Sequence, residues 1–164
     1  MDRLKTIALF GLLGAAVLAG IFYFYNRGAT PRLSGEITEV RTLAMERNAS
    51  VALVNFRAEN VSDRDVVVAD REVEVVLPDG ARYVGLLISS PDLKGLFDFF
   101  PILGGMKDEP LLPRREVPPG ETIRGLVGAR FDIPKHLLDG RERITLWIAD
   151  GRGRGSELTQ SSGD

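Results

Sequence analysis

"ALVNFRAEN", residues 52–60, decides how this chain is read. Ala52, Val54, Phe56 and Ala58 fall on one side of an extended segment, with Asn55, Arg57 and Glu59 on the other. Successive side chains leave a strand on opposite faces, so a period of two marks a half-buried strand. The same period returns downstream. In "REVEVVLPDG", Val73, Val75 and Leu77 alternate with Glu72 and Glu74, and Asp79-Gly80 is a hairpin turn signal. "ARYVGLLIS" then reads as the returning strand. "TIRGLVGARFD" places Ile123, Val127, Ala129 and Phe131 on one face, and "RITLWIA" gives the last strand. With "GEITEVRTL" and "VVVA" the count is about seven, and short alternating strands separated by turns predict an all-β antiparallel sandwich.

One segment breaks the pattern. "SPDLKGLFDFFPILGG", Ser90 to Gly105, carries Leu93, Leu96, Phe97 and Phe100 at helical spacing, with Asp92, Lys94 and Asp98 facing away. Ser90 is placed to cap this helix, Pro91 fits its first turn, and Pro101 ends it. Gly95 weakens it, so packing must hold the helix. Its apolar stripe is expected to cover an open edge or end of the sandwich. Its acidic character argues against a membrane contact. Phe99 lies off the stripe and, with Ile102 and Leu103, is the candidate partner-binding surface. The Pro- and Gly-rich stretch to Glu116 reads as a long surface loop, a kind of segment that is often functional.

Thr6 to Tyr25, "TIALFGLLGAAVLAGIFYFY", is a run without a charge. As a helix it would span roughly 30 Å, the hydrocarbon thickness of a bilayer. Arg3 and Lys5 precede it, and Tyr23 and Tyr25 stand at the headgroup level. It reads as a single membrane-spanning anchor contacting the lipid bilayer. A cleaved secretory signal is the rival, with "VLA", Val17 to Ala19, as the cleavage site. Flanking positive charges are nearly balanced, but the short N-terminal tail suggests a signal-anchor with the large domain outside the cytoplasm. Gly11, Ala15 and Ala19 line one helix face and are candidates for helix packing in a weak homodimer, although small residues are common in membrane helices anyway.

Charge is unevenly distributed. Four of the 21 basic but only one of the 23 acidic side chains fall in the first 32 residues, which leaves the remainder at a net of −5. An acidic body argues against nucleic acid as a partner. The chain has no cysteine, which excludes disulfides, thiolate metal sites and cysteine nucleophiles. His136, in "PKHLLDG", is the only histidine and lacks companions for a metal or nucleophile constellation, so it reads as a surface or turn residue. Glu59, Asp63 and Asp65 read as a solvated turn, since "SDRD" lacks a calcium-loop pattern. "NAS" at Asn48 and "NVS" at Asn60 match the glycosylation acceptor pattern, which matters only in a eukaryotic secretory setting. No catalytic residue, cofactor or metal is expected, and the protein is expected not to be an enzyme.

"VPPGETIRGLVGARFDIP", Val117 to Pro134, resembles a pattern in bacterial membrane-anchored or lipid-anchored immunoglobulin-like sandwich domains of unknown function. There a Pro-Gly-Glu turn leads into a strand with a central glycine that ends in Phe-x-Ile/Val-Pro. "VNFRAENVSDRDVVV", Val54 to Val68, resembles their strand–turn–strand unit, and late-embryogenesis-abundant-like sandwiches are similar. The likeness covers roughly a third of the chain and implies an immunoglobulin-like fold and an extracytoplasmic setting. It carries over no catalytic residue. The excursion from Ser90 to Glu116 is longer than such a domain implies.

These readings divide the chain into a tail (1–5), a transmembrane helix (6–25), a linker (26–34), a β-sandwich (35–150) with an inserted helix and loop (90–116), and a flexible C-terminal tail (151–164). The expected role is protein–protein interaction or envelope scaffolding, with a small-ligand or ion sensor as the alternative use of residues 90–116.

Overall fold

The computed structural model describes residues 32–151 and 155–161, together with Gly14, Ala16 and residues 18–20. The strands are β1 (Leu33–Glu46), β2 (Ala49–Asn60), β3 (Val66–Val76), β4 (Arg82–Val84), β5 (Leu86–Leu87), β6 (Glu116–Val117), β7 (Thr122–Phe131), β8 (Arg143–Asp150) and β9 (Gly155–Ser161). Helix α1 (Ser90–Phe99), followed by a 3-10 turn (Pro101–Leu103), sits between β5 and β6, and α2 (Lys135–Asp139) between β7 and β8. One sheet runs β1-β2-β7-β5 and the other β4-β3-β8-β9, with β6 pairing to β3. Every strand pair is antiparallel. The chain is an all-β sandwich.

The core between the sheets follows the period of two. Ala52, Val54, Phe56 and Ala58 of β2 and Ile123, Val127, Ala129 and Phe131 of β7 pack with Val73 and Val75 of β3 and Ile144, Leu146 and Ile148 of β8. Each large side chain so buried contributes about 1.5–3 kcal/mol. The hairpin at Asp79-Gly80 forms as its residues require: Gly80 takes a φ of +83°, and Asp79 Oδ1 accepts from the Ala81 N–H at 2.9 Å.

Several boundaries differ from the sequence reading. "VVVA" and "REVEVV" are one strand, β3, with a register shift between Val68 and Asp70. "ARYVGLLIS" is two strands, because the chain changes sheets at Gly85. β4 pairs with β3, and β5 pairs with β7. A Cβ at residue 85 would stand 2.7 Å from both Ala129 Cβ and Phe131 Cζ, so only glycine can pass so close to the opposite sheet. Residues 135–139 form α2.

The tail is corrected as well. Residues 155–161 are not a flexible appendage but the strand β9, in register with β8 from Ala149↔Gly155 to Arg143↔Ser161. Leu158 is buried, and Ser156 Oγ accepts from the Leu33 N–H at 2.8 Å, which ties β9 to the start of β1. A single apolar side chain in "GSELTQS" was too weak a signal; backbone pairing and one inward leucine hold the strand.

The β2–β3 turn is built on Asn60, a buried polar residue. Its Nδ2 donates to the carbonyls of Arg64 and Val117, both at 2.7 Å, and its Oδ1 accepts from the Ser62 N–H at 3.0 Å. The acceptor-pattern asparagine at this position is therefore committed to the interior, whereas Asn48 is exposed in a turn.

Of the apolar run 6–25, only Gly14, Ala16, Leu18, Ala19 and Gly20 are described, and all are helical. No helix among the described residues is long and apolar enough to cross a membrane. Ala19 is exposed; Gly11 and Ala15 lie outside the described residues, as does most of the expected span.

Candidate interaction surface

β2 is buried on both faces. Its inner residues fill the sandwich, while Val51 and Leu53 point outward and are equally buried. What covers them is the excursion after β5. Leu43, Val51, Leu53 and Leu126 from the first sheet form a second core with Leu93 of α1 and Leu103, flanked by Leu96, Phe97, Phe100 and Met106. The helical stripe read from the sequence is thus the packed one. It covers a face of the sheet, not an edge or an end.

Local chemistry sets the helix. Ser89, one residue before the expected cap, accepts from the Asp92 N–H at 3.3 Å, and its hydroxyl donates to the Asp92 carboxylate at 2.6 Å. Pro91 lies in the first turn. Gly128, at the middle of β7, opens the seat for the helix. A Cβ there would lie 2.3 Å from Leu93 Cδ2, so the bare backbone is what admits Leu93.

A single arginine fastens the overlay. Arg41 of β1 donates through Nη1 to the Leu103 carbonyl at 2.6 Å and the Gly105 carbonyl at 3.1 Å. Its Nη2 donates to Asn55 Oδ1 at 3.1 Å. Asn55 is buried and passes the connection on, donating to Asp108 Oδ2 at 2.7 Å. The Arg41 guanidinium also lies 4.9 Å from the centre of the Phe97 ring, within cation–π range. Glu39 completes the group, 3.4 Å from Arg41 and 2.9 Å from Lys107. The planar fork of arginine suits this task, since it meets several acceptors in fixed directions.

On that support, Phe99 is 82% and Ile102 is 87% exposed. They are the most exposed large apolar side chains among the described residues. Leu103 differs from the expectation. It is buried under the 3-10 turn as part of the second core, and only Phe99 and Ile102 remain for a partner.

A cleft of about 510 Å³ opens between α1 and the loop that follows it, lined by Ser90, Lys94, Glu109, Pro110, Leu112, Pro113, Arg114 and Arg115. The loop is held by main-chain bonds. Leu111 N–H donates to the Leu126 carbonyl at 2.9 Å, and Leu126 N–H to the Glu109 carbonyl at 3.0 Å. Arg71 donates to the Leu111 carbonyl as well. Burial lowers the Arg71 guanidinium from its ordinary value, and neighbouring Asp70 partly opposes this. Arg114 is the one non-glycine residue described at positive φ, +62°, and β3 holds it there through its N–H bond to the Val68 carbonyl at 2.6 Å.

His136 is exposed on α2. Among the described residues no group of three or more histidine, aspartate or glutamate side chains could hold a metal ion.

No family model matches the chain, and no curated protein matches it. Three solved structures are similar in outline. The archaellum periplasmic stator protein FlaG from Sulfolobus acidocaldarius is 14% identical over 80% of this chain and 100% of its own, with a TM-score of 0.36. An uncharacterised β-sandwich protein from Clostridium difficile is 12% identical over 79% of this chain and 85% of its own, with a TM-score of 0.40. The archaellum stator complex of FlaF and FlaG matches at 12% identity, covering 77% and 87%, with a TM-score of 0.33. At these values no residue role, partner or compartment passes from them to this chain.

Proposed function

We propose that this protein is a membrane-anchored, non-catalytic interaction module. Its sandwich stands outside the cytoplasm and engages a partner protein through Phe99 and Ile102. The observation that carries this reading is the contrast within one segment. Leu93 and Leu103 are buried and Arg41 fastens the backbone, yet Phe99 and Ile102 project from it into solvent. Aromatic and apolar anchors on a rigid base are the usual centres of protein interfaces. Their exposure has no role in holding the fold.

The anchor and the compartment rest on the sequence, namely the uncharged run 6–25 and its flanks. An immunoglobulin-like reading is supported by strand order. β1-β2-β7-β5 opposite β4-β3-β8-β9 follows the A-B-E-D and C′-C-F-G arrangement.

The double substitution F99D/I102D is expected to leave the unfolding free energy within about 0.5 kcal/mol of wild type, as surface changes do. It should reduce capture of a crosslinked partner from intact membranes at least about tenfold. Equal capture by both proteins would refute the reading.

The cleft supports a second use of the same segment, as a sensor for a small anionic ligand. Its walls are apolar at Pro110, Leu112 and Pro113, and Lys94, Arg114 and Arg115 supply positive charge, with Glu109 in the lining and Glu121 paired to Arg115 at 3.6 Å. In a thermal-shift panel of carboxylates and phosphates, this reading predicts stabilisation by at least one compound, abolished in R114A/R115A. A flat response across the panel would remove it.

A further inference from the structure

The outer face of the second sheet carries a different kind of surface. Residues in register across β3, β8 and β9 share a face, with neighbouring strands about 4.8 Å apart. Trp147 stands opposite Glu72 on one side and opposite Glu157 on the other. All three are exposed, Trp147 at 38%. The indole lies against Gly155, where a Cβ would be only 3.2 Å from Trp147 Cε3, so β9 offers bare backbone as its seat. In the next row Glu74 is paired with Arg82 at 3.6 Å. Among the described residues no cation pairs with Glu72 or Glu157. Asp70, one row further along at the position opposite Ala149, is a third exposed carboxylate, but its Oδ1 accepts from the Arg71 N–H at 2.8 Å and its charge is shared with the Arg71 guanidinium, so Glu72 and Glu157 carry the site.

The geometry points to a cation-recognition site on this face, taking an arginine or lysine from a basic segment of a partner protein. An indole attracts a cation to its ring face, and a carboxylate on each side supplies the counter-charge. Charge decides the class of occupant. Exposed carboxylates on both sides of the indole repel nucleic acid, anionic lipid and any acidic segment. A second copy of this acidic body would place like charges together. The site is separate from Phe99 and Ile102, which belong to the overlay on the other sheet.

Trp147 is the only tryptophan in the chain, so its emission reads the site directly. The full chain in detergent micelles would be titrated with a ten-residue oligo-arginine peptide, with oligo-glutamate as control. The expected result is a saturable change in emission with the basic peptide alone. Affinity should fall about tenfold in E72Q/E157Q, and stay within about twofold in the charge-matched control E36Q/E59Q and in F99D. Trp147→Leu, followed by calorimetry, should weaken binding several-fold while keeping an apolar cover on Gly155. No saturable change, equal loss in the two glutamate double variants, or full affinity in Trp147→Leu would each overturn the site. Loss in F99D would place the peptide on the other surface and overturn it too.

Discussion

Arg41 shows how much of the architecture one side chain can hold. It joins two carbonyls of the excursion, the amide of a buried asparagine and the face of Phe97. Removing it leaves Asn55 Oδ1 and the Leu103 carbonyl short of a donor in a partly buried place. Arg41→Ala is therefore expected to cost about 2–3 kcal/mol in chemical denaturation, and to open residues 90–116 to limited proteolysis. A lysine there keeps the charge but not the fork, and should recover only part of the loss. Unchanged stability and an unchanged cleavage pattern in the alanine variant would show that apolar packing alone fastens the overlay. Nothing in the sequence distinguishes Arg41 from the other arginines of the chain. Its role comes from contacts to residues 14 and 62 positions away.

At the level of elements, the residues facing the space between the sheets and the packed stripe of the helix were legible from their spacing. The inner residues of β2, β3 and β7 and the stripe of α1 all fall as their spacing predicts. Besides the short α2 and β6, three features were not legible, each for a separate reason. The outward residues Val51 and Leu53 make "VALV" a continuous apolar run, a mark of burial on both faces; the alternation at Asn55, Arg57 and Glu59 masked it. Gly85 carries the chain from one sheet to the other within an apparently unbroken strand, which only the close approach to Ala129 and Phe131 explains. β9 has a single buried apolar residue and is held by its ladder to β8. In the candidate surface, the exposure of Phe99 was legible because it lies off the stripe, whereas Ile102 and Leu103 follow Pro101, where helical spacing no longer tells which side faces outward. The 3-10 turn rotates Leu103 inward.

The short helix α2 offers a test at this scale. Thr42 of β1 donates to Asp139 Oδ1 at 2.5 Å, and Lys135 is 2.5 Å from Oδ2. Partial burial works to raise the Asp139 carboxyl, but hydrogen bonds from Lys135 and Thr42 and the charges of Lys135 and Arg141 outweigh it. The group is held below its ordinary value. A lowered carboxylate stabilises the fold above its unfolded value, about 3.9, and that contribution disappears as pH falls through the folded value. Asp139→Asn should therefore lower the thermal midpoint at pH 7, and the gap to wild type should close on acidification below about pH 4. A gap of the same size at pH 3 and pH 7 would contradict the assignment.

On the scale of the whole molecule, the protein is a two-sheet sandwich with a third, partial layer laid on the outside of one sheet. That layer explains why a long excursion can leave β5 and return to β6 without loosening the domain, since Leu93 and Leu103 bury against Val51, Leu53 and Leu126. It also explains why two apolar side chains stand in solvent on a firm base. The account therefore stands on Phe99 and Ile102 meeting a partner while Leu103, next in the chain, does not. Placing a photo-activated crosslinking amino acid at each of these three positions in the full-length protein, in intact membranes, tests this most directly. The account predicts the same discrete adduct from positions 99 and 102 and none from position 103. No adduct from 99 and 102, or adducts of equal yield from all three, would contradict it.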